Sequence, residues 1–503
     1  MTDLAHPDRL QKIAALRAQG LDPYPARGVV ATPIPVLLAG AGTPEAPGPL
    51  AGTRVTVAGR IELLRDFGKL VFAPLLGQGG RIQAGLERDR LGEWWPSRKL
   101  LDGGDQVGVT GVLGHTKKGE PTVWAESVTL LAKAVAPPPE KWHGLVDKEL
   151  RYRRRYVDLW ASEGVAQVFV KRSQALSTIR RYLEGEGYLE VETPTLHPIA
   201  GGAAARPFIT HHNALDCDFY LRIAPELYLK RLVVGGLERV FEVSRNFRNE
   251  GLSQRHNPEF TMLELYEAQA DYRRMLEIAE QIVERCALAV NGTTKVTFRG
   301  AEYDLGAPFP RVGYTELFRE RNGFEFDDLA RVRRRAQELE LHLVDDPWKL
   351  MNDVFEATCE DGLAGPVFVV DYPIGISPLA KQKPGDPRLA ERFELYVAGM
   401  ELGNAFSELN DPAEQERRFV EQVASKDPEA PGEVDWDYVQ ALEYGMPPAG
   451  GLGIGVDRLV MVLTGQDSIR DVLLFPAMKP EPRAVRAAPK GTEPSGKAGP
   501  ERP

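Results

Sequence analysis

The chain has 503 residues, room for roughly two or three domains, and its composition of 43% hydrophobic and 27% charged residues is that of a globular protein rather than a disordered or fibrous one. A formal charge of −10 neither requires nor excludes nucleic acid, because binding depends on local patches such as the arginine-dense stretch Lys148–Arg155. The three cysteines (Cys217, Cys286 and Cys359) form no CxxC pair, which argues against a disulfide framework and structural zinc; no apolar run is long enough to cross a bilayer and no hydrophobic signal segment opens the chain, so a reduced, cytoplasmic protein with no membrane partner is expected.

Residues 7–19 predict a short amphipathic helix, with Pro7 near its start and Gly20 as its stop. Glycine- and proline-rich stretches follow, so residues 1–52 are read as a helix and an extension. From Thr53 the pattern changes to short β runs separated by turns, for example Val55–Val57, Val107–Val109 and Val123–Ala125. This predicts an all-β barrel over 53–135, with an OB-fold as one candidate. Ala136–Pro139 marks a stiff linker, read as 136–150.

Residues 151–478 read as a larger α+β domain. A helical stripe through Val168, Leu176, Ile179 and Leu183 precedes an extended segment, Tyr188–Glu192. Strand-like runs fill 219–266, a mainly helical insertion spans about 271–360, and strands return at 366–371 and 391–409. A glycine-rich strand then leads into a helix at 451–464. Strands and helices do not alternate regularly, so an antiparallel sheet flanked by helices is preferred to a doubly wound fold. The tail, 479–503, is rich in Pro, Gly and Ala and is expected to be disordered.

Four constellations carry chemistry. In the first, residues 243–266 read as strand, loop, strand, and Phe260, Met262, Glu264 and Tyr266 share one face of the second strand by alternation. Arg248, near the end of that hairpin, could grip an anion bidentately. In the second, Glu394 and Glu401 flank a turn at Val397–Met400 and could face each other across adjacent strands. Facing carboxylates repel unless a cation separates them, and hard oxygen ligands suit Mg²⁺. Asn404, Phe406 and Glu408 then share the other face of that strand. In the third, Gly451, Gly453 and Gly455 leave a strand surface bare for a flat ligand on which Arg458 could stack; the run is not GxGxxG and lacks a βαβ context. In the fourth, the small-residue loop Gly201–Phe208 accompanies Glu226, which follows Pro225 at a helix start. Each alone also reads as an ordinary hairpin, edge, packing site or capping carboxylate.

Together these residues resemble the class II aminoacyl-tRNA synthetases, specifically the bacterial-type lysyl-tRNA synthetases, from the N-terminal helix to about Pro480. Gly187–Pro194 is similar to the family's first motif at its dimer interface, Phe247–Tyr266 to the second and Gly451–Arg458 to the third. The runs GGAAARPF (201–208), HNPEFTMLELY (256–266) and ELGNAFSELNDP (401–412) are more specific than these class signals.

The resemblance implies an enzyme that activates L-lysine with ATP and passes it to tRNA(Lys), working as a homodimer with Mg²⁺. Arg248 would contact the amino-acid carboxylate and the α-phosphate, and Glu250 the adenine amino group. Adenine would stack between Phe260 and Arg458 beside Gly453, with Arg255, His256 and Asn257 lining the loop. Glu394 and Glu401 would hold Mg²⁺. Gly202 and Glu226 would receive the α-amino group and Asn404 the carboxylate, with Phe406 beside them. Glu264, Tyr266 and Glu408 would receive the side-chain ammonium. In the barrel, Arg65, Phe72 and Gln83 fall where the family reads anticodon bases, although Pro74 would remove a ladder donor and Phe72 could be barrel core. Three rivals remain open. A protein-lysylating paralogue would lack the barrel. An aspartyl- or asparaginyl-type enzyme would want a basic residue near position 408. A degenerate RNA-binding relative would have lost Arg248, Arg458 or the Glu394/Glu401 pair.

Overall fold

The computed structural model describes residues 4–139, 145–425 and 432–481. Residues 140–144 of the expected linker, and the expected tail beyond Glu481, lie outside the described residues. The chain divides into two compact units between Val165 and Ala166.

The first unit opens with α1 (Pro7–Ala18) and α2 (Ile34–Ala41). The second of these lies where only an extension was read. Its prolines sit at the first turn, where a missing N–H costs nothing, and it buries Ile34, Leu37 and Ala41 in the barrel core. Strands β1 (Arg54–Ile61), β2 (Arg65–Asp66), β3 (Leu70–Gly77), β4 (Gly80–Glu87), β5 (Gln106–His115) and β6 (Pro121–Ala132) follow, with the short α3 (Arg88–Leu91) after β4. Their order, β1-β5-β6-β4-β3, closes because β1 also pairs with β3. Helices α4 (Lys148–Arg153) and α5 (Arg155–Ala161) complete the unit.

Alternation along β3 sends Val71, Ala73 and Leu75 into the barrel and leaves Phe72 on its outer face. Phe72 is therefore not barrel core. Pro74 does not interrupt the strand. It lies opposite the gap between the end of β1 and the start of β2, where its carbonyl accepts from Glu62 N at 3.0 Å and no ladder donor is required.

The second unit begins with α6 (Val165–Gly185) and continues through β7 (Leu189–Glu190), β8 (Leu196–His197), β9 (Ile209–His212), β10 (Cys217–Leu221), α7 (Glu226–Val234), β11 (Arg239–Phe247), β12 (Glu259–Ala268) and α8 (Tyr272–Asn291). Next come β13 (Lys295–Phe298), β14 (Ala301–Asp304), β15 (Arg311–Gly313), α9 (Tyr314–Asn322), α10 (Leu329–Glu338), α11 (Pro347–Cys359) and β16 (Val367–Val370). The last elements are β17 (Arg392–Val397), β18 (Met400–Ser407), α12 (Pro412–Ala424), α13 (Trp436–Glu443), β19 (Ala449–Gly455), α14 (Val456–Thr464) and α15 (Ile469–Val472).

An eight-stranded sheet in the order β15-β16-β17-β18-β19-β12-β11-β7 organises the unit, antiparallel except at its two ends. One face is packed by α6, α8 and α14. Leu263 and Leu265 of β12 share that core with Leu276 and Ile278 of α8 and Val460 of α14. Each such aliphatic side chain, fully buried, contributes about 1.5–3 kcal/mol. The stretch expected as one helical insertion divides. Helix α8 belongs to this main core, capped by Asp271 and ended by Gly292. Helices α9–α11 instead build a separate core around Tyr314, stacked on Phe355 at 4.1 Å.

Truncating Leu75 to Ala should destabilise the full chain by about 2–5 kcal/mol, as for other buried leucines. Phe72→Ala, outside the barrel, should cost less than about 1 kcal/mol. Urea denaturation of both variants checks this.

Candidate active site

The face of the sheet away from α8 is open, and a cleft of about 970 Å³ lies on it. Alternation brings Phe260, Met262, Glu264 and Tyr266 of β12 to this face, and all four line the cleft. The cross-strand registers then form rows. Glu264, Gly453 and Asn404 stand side by side on β12, β19 and β18, and Glu394 of β17 ends that row. Tyr266, Gly451 and Phe406 form the next. Glycine in the middle strand makes each row a trough. A side chain at Gly451 would run into Glu408 and Tyr266.

One end of the cleft is anionic. Glu226 opens α7, and Glu408 follows β18; both are buried, as are Glu264 and Tyr266. Gly202 has φ +86°, and a Cβ there would crowd that of Glu226, so only glycine suits the loop. Glu264 makes no ion pair among the described residues. Burial, reinforced by Glu226 and opposed by Arg248, pushes its carboxyl up to about 8. Its neighbour across β11, Glu242, is neutralised by Arg222 at 2.6 Å. Lys230, one turn after Glu226, donates to Glu226 Oε1 at 2.6 Å and pairs with Glu408. The sequence reading missed Lys230. Its i, i+4 spacing from Glu226 was visible, but its contact with Glu408 was not.

The other end is cationic. Arg248 leaves β11 with its backbone N–H bonded to the Pro258 carbonyl at 2.8 Å, which closes the base of the loop. Its guanidinium lies over the Phe260 ring at 5.0 Å, and its buried Nε has no hydrogen-bond partner among the described residues. Burial pulls this arginine below its usual range, countered by Glu250 and Glu401. The cation over Phe260 is thus Arg248. Arg458, at the start of α14, donates to the Glu401 carbonyl at 2.8 Å and lies 3.3 Å from Glu401 Oε2 and from His256 Nε2. Burial, then Arg458, keeps His256 below the usual histidine range and so uncharged near neutrality. Arg255 reaches the Gly399 carbonyl at 3.3 Å. Asn257 bonds backbone with both ends of its amide, Glu259 O at 2.6 Å and Ala477 N at 3.2 Å, and so fixes the loop. Glu250 and Gly453 also line the cleft.

Glu394 and Glu401 are not directly paired across the strands. Glu394 faces Asn404, and Glu401 faces Tyr396, with Leu402 as an extra residue between the two registers. This bulge corrects the alternation expected from the sequence. It turns Glu401 onto the same face as Asn404 and Phe406, and all three line the cleft, with Glu408 beyond them at the anionic end. Glu394 sits behind the lining, held by Arg392 at 2.6 Å and by the hydroxyls of Tyr396 and Tyr372 at 2.6 and 2.9 Å. Burial and Glu401 both drive its pKa up. The Tyr396 hydroxyl also lies 2.8 Å from Glu360, which burial pushes up to about 7 with help from Glu394 and Glu401. One hydroxyl proton cannot serve two carboxylates at once, so Glu394 and Glu360 compete for the Tyr396 donor. No three carboxylate, imidazole or thiol groups among the described residues are placed to hold a metal alone. Two carboxylates with positions left for phosphate oxygens and water are what a nucleotide-bound Mg²⁺ takes, so the donor set fits.

On the barrel, Arg65 donates to Gln83 at 2.9 Å, and Gln83 is buried and bonded to Thr122 at 3.2 Å. Phe72 lies between the exposed Phe67 and Trp124, each 6.1 Å away edge-on. The three anticodon candidates are thus brought together on one outer face with two further aromatic rings.

Residues 147–479 match the family described as tRNA synthetases class II (D, K and N), and residues 55–131 match an OB-fold nucleic acid binding domain. A protein of Moorella thermoacetica named lysine–tRNA ligase is 51% identical over 483 residues, covering 94% of this chain and 97% of its own. Proteins of the same name from Chromobacterium violaceum and Roseiflexus sp. are 52% and 49% identical, over 85% and 94% of this chain and 87% and 98% of theirs.

A carboxyl raised from its ordinary value to about 8 binds more protons folded than unfolded between those values, so Glu264 makes the ligand-free protein lose stability as pH rises through that window. Glu264→Gln should therefore raise the melting temperature of the ligand-free protein more at about pH 8 than at about pH 5. Thermal melts at the two pH values check the sign.

Proposed function

The chain belongs to the class II tRNA synthetases, and we propose that it is a lysine–tRNA ligase, joining L-lysine to tRNA(Lys) with ATP as the energy source. The observation that carries this reading is the polarity of one face of the sheet: an aromatic ring under Arg248 at one end of the cleft, and buried Glu226, Glu264 and Glu408 at the other. A buried ammonium needs compensating charge, and clustered carboxylates are costly without one. An acidic side chain would meet repulsion here, which disfavours the aspartyl or asparaginyl type. The barrel disfavours a lysine ligase acting on a protein.

Lysine's carboxylate is already a nucleophile, so no general base is needed for the first step. Its oxygen attacks the α-phosphorus in line, the bond to the bridging oxygen breaks, and pyrophosphate leaves with lysyl-adenylate formed. Arg248 meets the carboxylate and the α-phosphate and stabilises the charge that develops between them. Arg255 and His256 sit where the nucleotide would pass. Phe260 and Arg458 offer faces for adenine, and Glu250 an acceptor for its amino group. Glu394 and Glu401 would hold Mg²⁺, which would neutralise the phosphates. Asn404 lies in the Glu264 row and suits the substrate carboxylate; Gly202 and Glu226 suit its α-amino group. In the second step a ribose hydroxyl of the terminal adenosine takes the lysyl group and AMP leaves.

Arg65, Phe72 and Gln83, with Phe67 and Trp124, support an outer barrel face that stacks and hydrogen-bonds anticodon bases. A homodimer is supported by apolar residues left exposed at and near the β7 edge, Leu189, Leu196 and Leu237. The cytoplasm, where tRNA is charged, is the location this activity calls for. None of the described helices is long and apolar enough to cross a membrane.

The protein should catalyse lysine-dependent exchange of pyrophosphate into ATP; exchange with aspartate and none with lysine would sink the specificity. Arg248→Ala should abolish exchange, and near-normal activity would refute its role. Glu408→Gln should raise the KM for lysine far more than that for ATP.

A further inference from the structure

The anionic end of the cleft already contains a cation of the chain's own. Lys230 is fully buried on α7. Its ammonium donates to Glu226 at 2.6 Å, pairs with Glu408, and lies 5.2 Å from the ring centre of Phe406 and 5.9 Å from that of Tyr266. Every one of these neighbours lines the cleft or closes its anionic end. A lysine that merely tied α7 to the sheet would need one acidic partner, and this one is shared between two.

Resting on the lysine-ligase reading, we infer that Lys230 determines specificity by neutralising one of the three carboxylates Glu226, Glu264 and Glu408, so that the charge left for a ligand matches the two ammonium groups of a diamino acid. With Glu264 ionised, the state that an ammonium bound beside it favours, three carboxylates less one ammonium leave two negative charges. L-Lysine supplies two ammonium groups, while its carboxylate is met separately by Arg248. An amino acid of similar length with a neutral side chain leaves one buried carboxyl without a cation, which must then take a proton or stay charged at a cost, and it forgoes the ion pair that lysine makes. Without Lys230, lysine itself would leave one unpaired.

The geometry allows the pairing to be shared. Lys230 approaches Glu408 at Oε2, while Oε1 is buried with no hydrogen-bond partner among the described residues and faces bare Gly451 in the trough. The resident cation thus satisfies Glu408 from one side and leaves its other oxygen for the ligand. Burial works against the Lys230 charge, but Glu226 and Glu408 more than reverse it and hold the ammonium above the usual lysine range.

The charge count makes a prediction that a structural strut does not. With Glu408→Gln alone, two carboxylates less one ammonium leave a single negative charge for two ammonium groups. Adding Lys230→Met restores two. Pyrophosphate exchange would be measured for Lys230→Met, Glu408→Gln and the double variant, with KM for L-lysine and for ATP.

Lys230→Met alone should raise the lysine KM by about tenfold or more, with the ATP KM within about twofold. The double variant should have a lower lysine KM than Glu408→Gln. An unchanged lysine KM in Lys230→Met, or a double variant no better than Glu408→Gln, overturns the proposal. If Lys230→Met does not fold by itself, the double variant, from which both members of the pair are removed, still decides. Failure of the unaltered protein to exchange pyrophosphate with lysine would instead sink the ligase reading.

Discussion

A carboxylate taken out of water is stable only beside a cation or with a proton on it. That rule governs every part of the cleft. Glu242 has Arg222, Glu394 has Arg392, Glu401 has Arg458, and Glu226 and Glu408 share Lys230. Glu264 alone in this group has no ion pair among the described residues, and its carboxyl is driven up to about 8. The site is therefore nearly balanced within itself, with its deficit of positive charge concentrated at the residues that face the ligand. A protein that needed these glutamates only for stability would gain more by burying apolar groups of the same size.

The sheet is what makes such a concentration possible. Leu263 and Leu265 anchor β12 in the core on one face, so the residues between and beside them have no choice but the cleft. From Phe260 to Tyr266 the extended strand spans about 20 Å. That length separates the Phe260 ring, under Arg248 at one end, from the buried Glu264 and Tyr266 at the other. Glycines on β19 keep the middle of the floor bare over the same distance. Asp457 secures the edge of this arrangement by accepting from Thr261 N at 2.8 Å while paired with Arg172. The strand bearing the aromatic ring and the helix bearing Arg458 are thus tied at one point.

Much of this was legible in the sequence because strands have period two. The even-numbered face of β12, the glycine strand and the placement of Glu226 at a helix start all follow from spacing that a reader can count. The face of Glu401 did not, since one extra residue at Leu402 inverts the parity and nothing in the sequence marks a bulge there. Lys230 was hidden for a different reason. Its local partner lies one helical turn away, but its second partner, Glu408, comes from another part of the chain, and only folding brings them together. Helix α2 was obscured by prolines that usually signal loops yet are tolerated in a first turn. Pro74 raised the opposite concern and proved harmless, because the strand beside it is interrupted at that residue.

The cationic end has the same economy as the anionic one. Arg458 is occupied by Glu401 and His256, and Arg248 rests on Phe260 with one buried nitrogen unsatisfied among the described residues. Both cations thus have partners within the chain before any ligand arrives. The anionic pocket works likewise, since Glu408 is already half satisfied by Lys230 before any ligand arrives. On the proposed charge count, selection at this end falls on the number of ammonium groups a substrate brings, because each one missing leaves a buried carboxyl that must take a proton or go without a counter-charge.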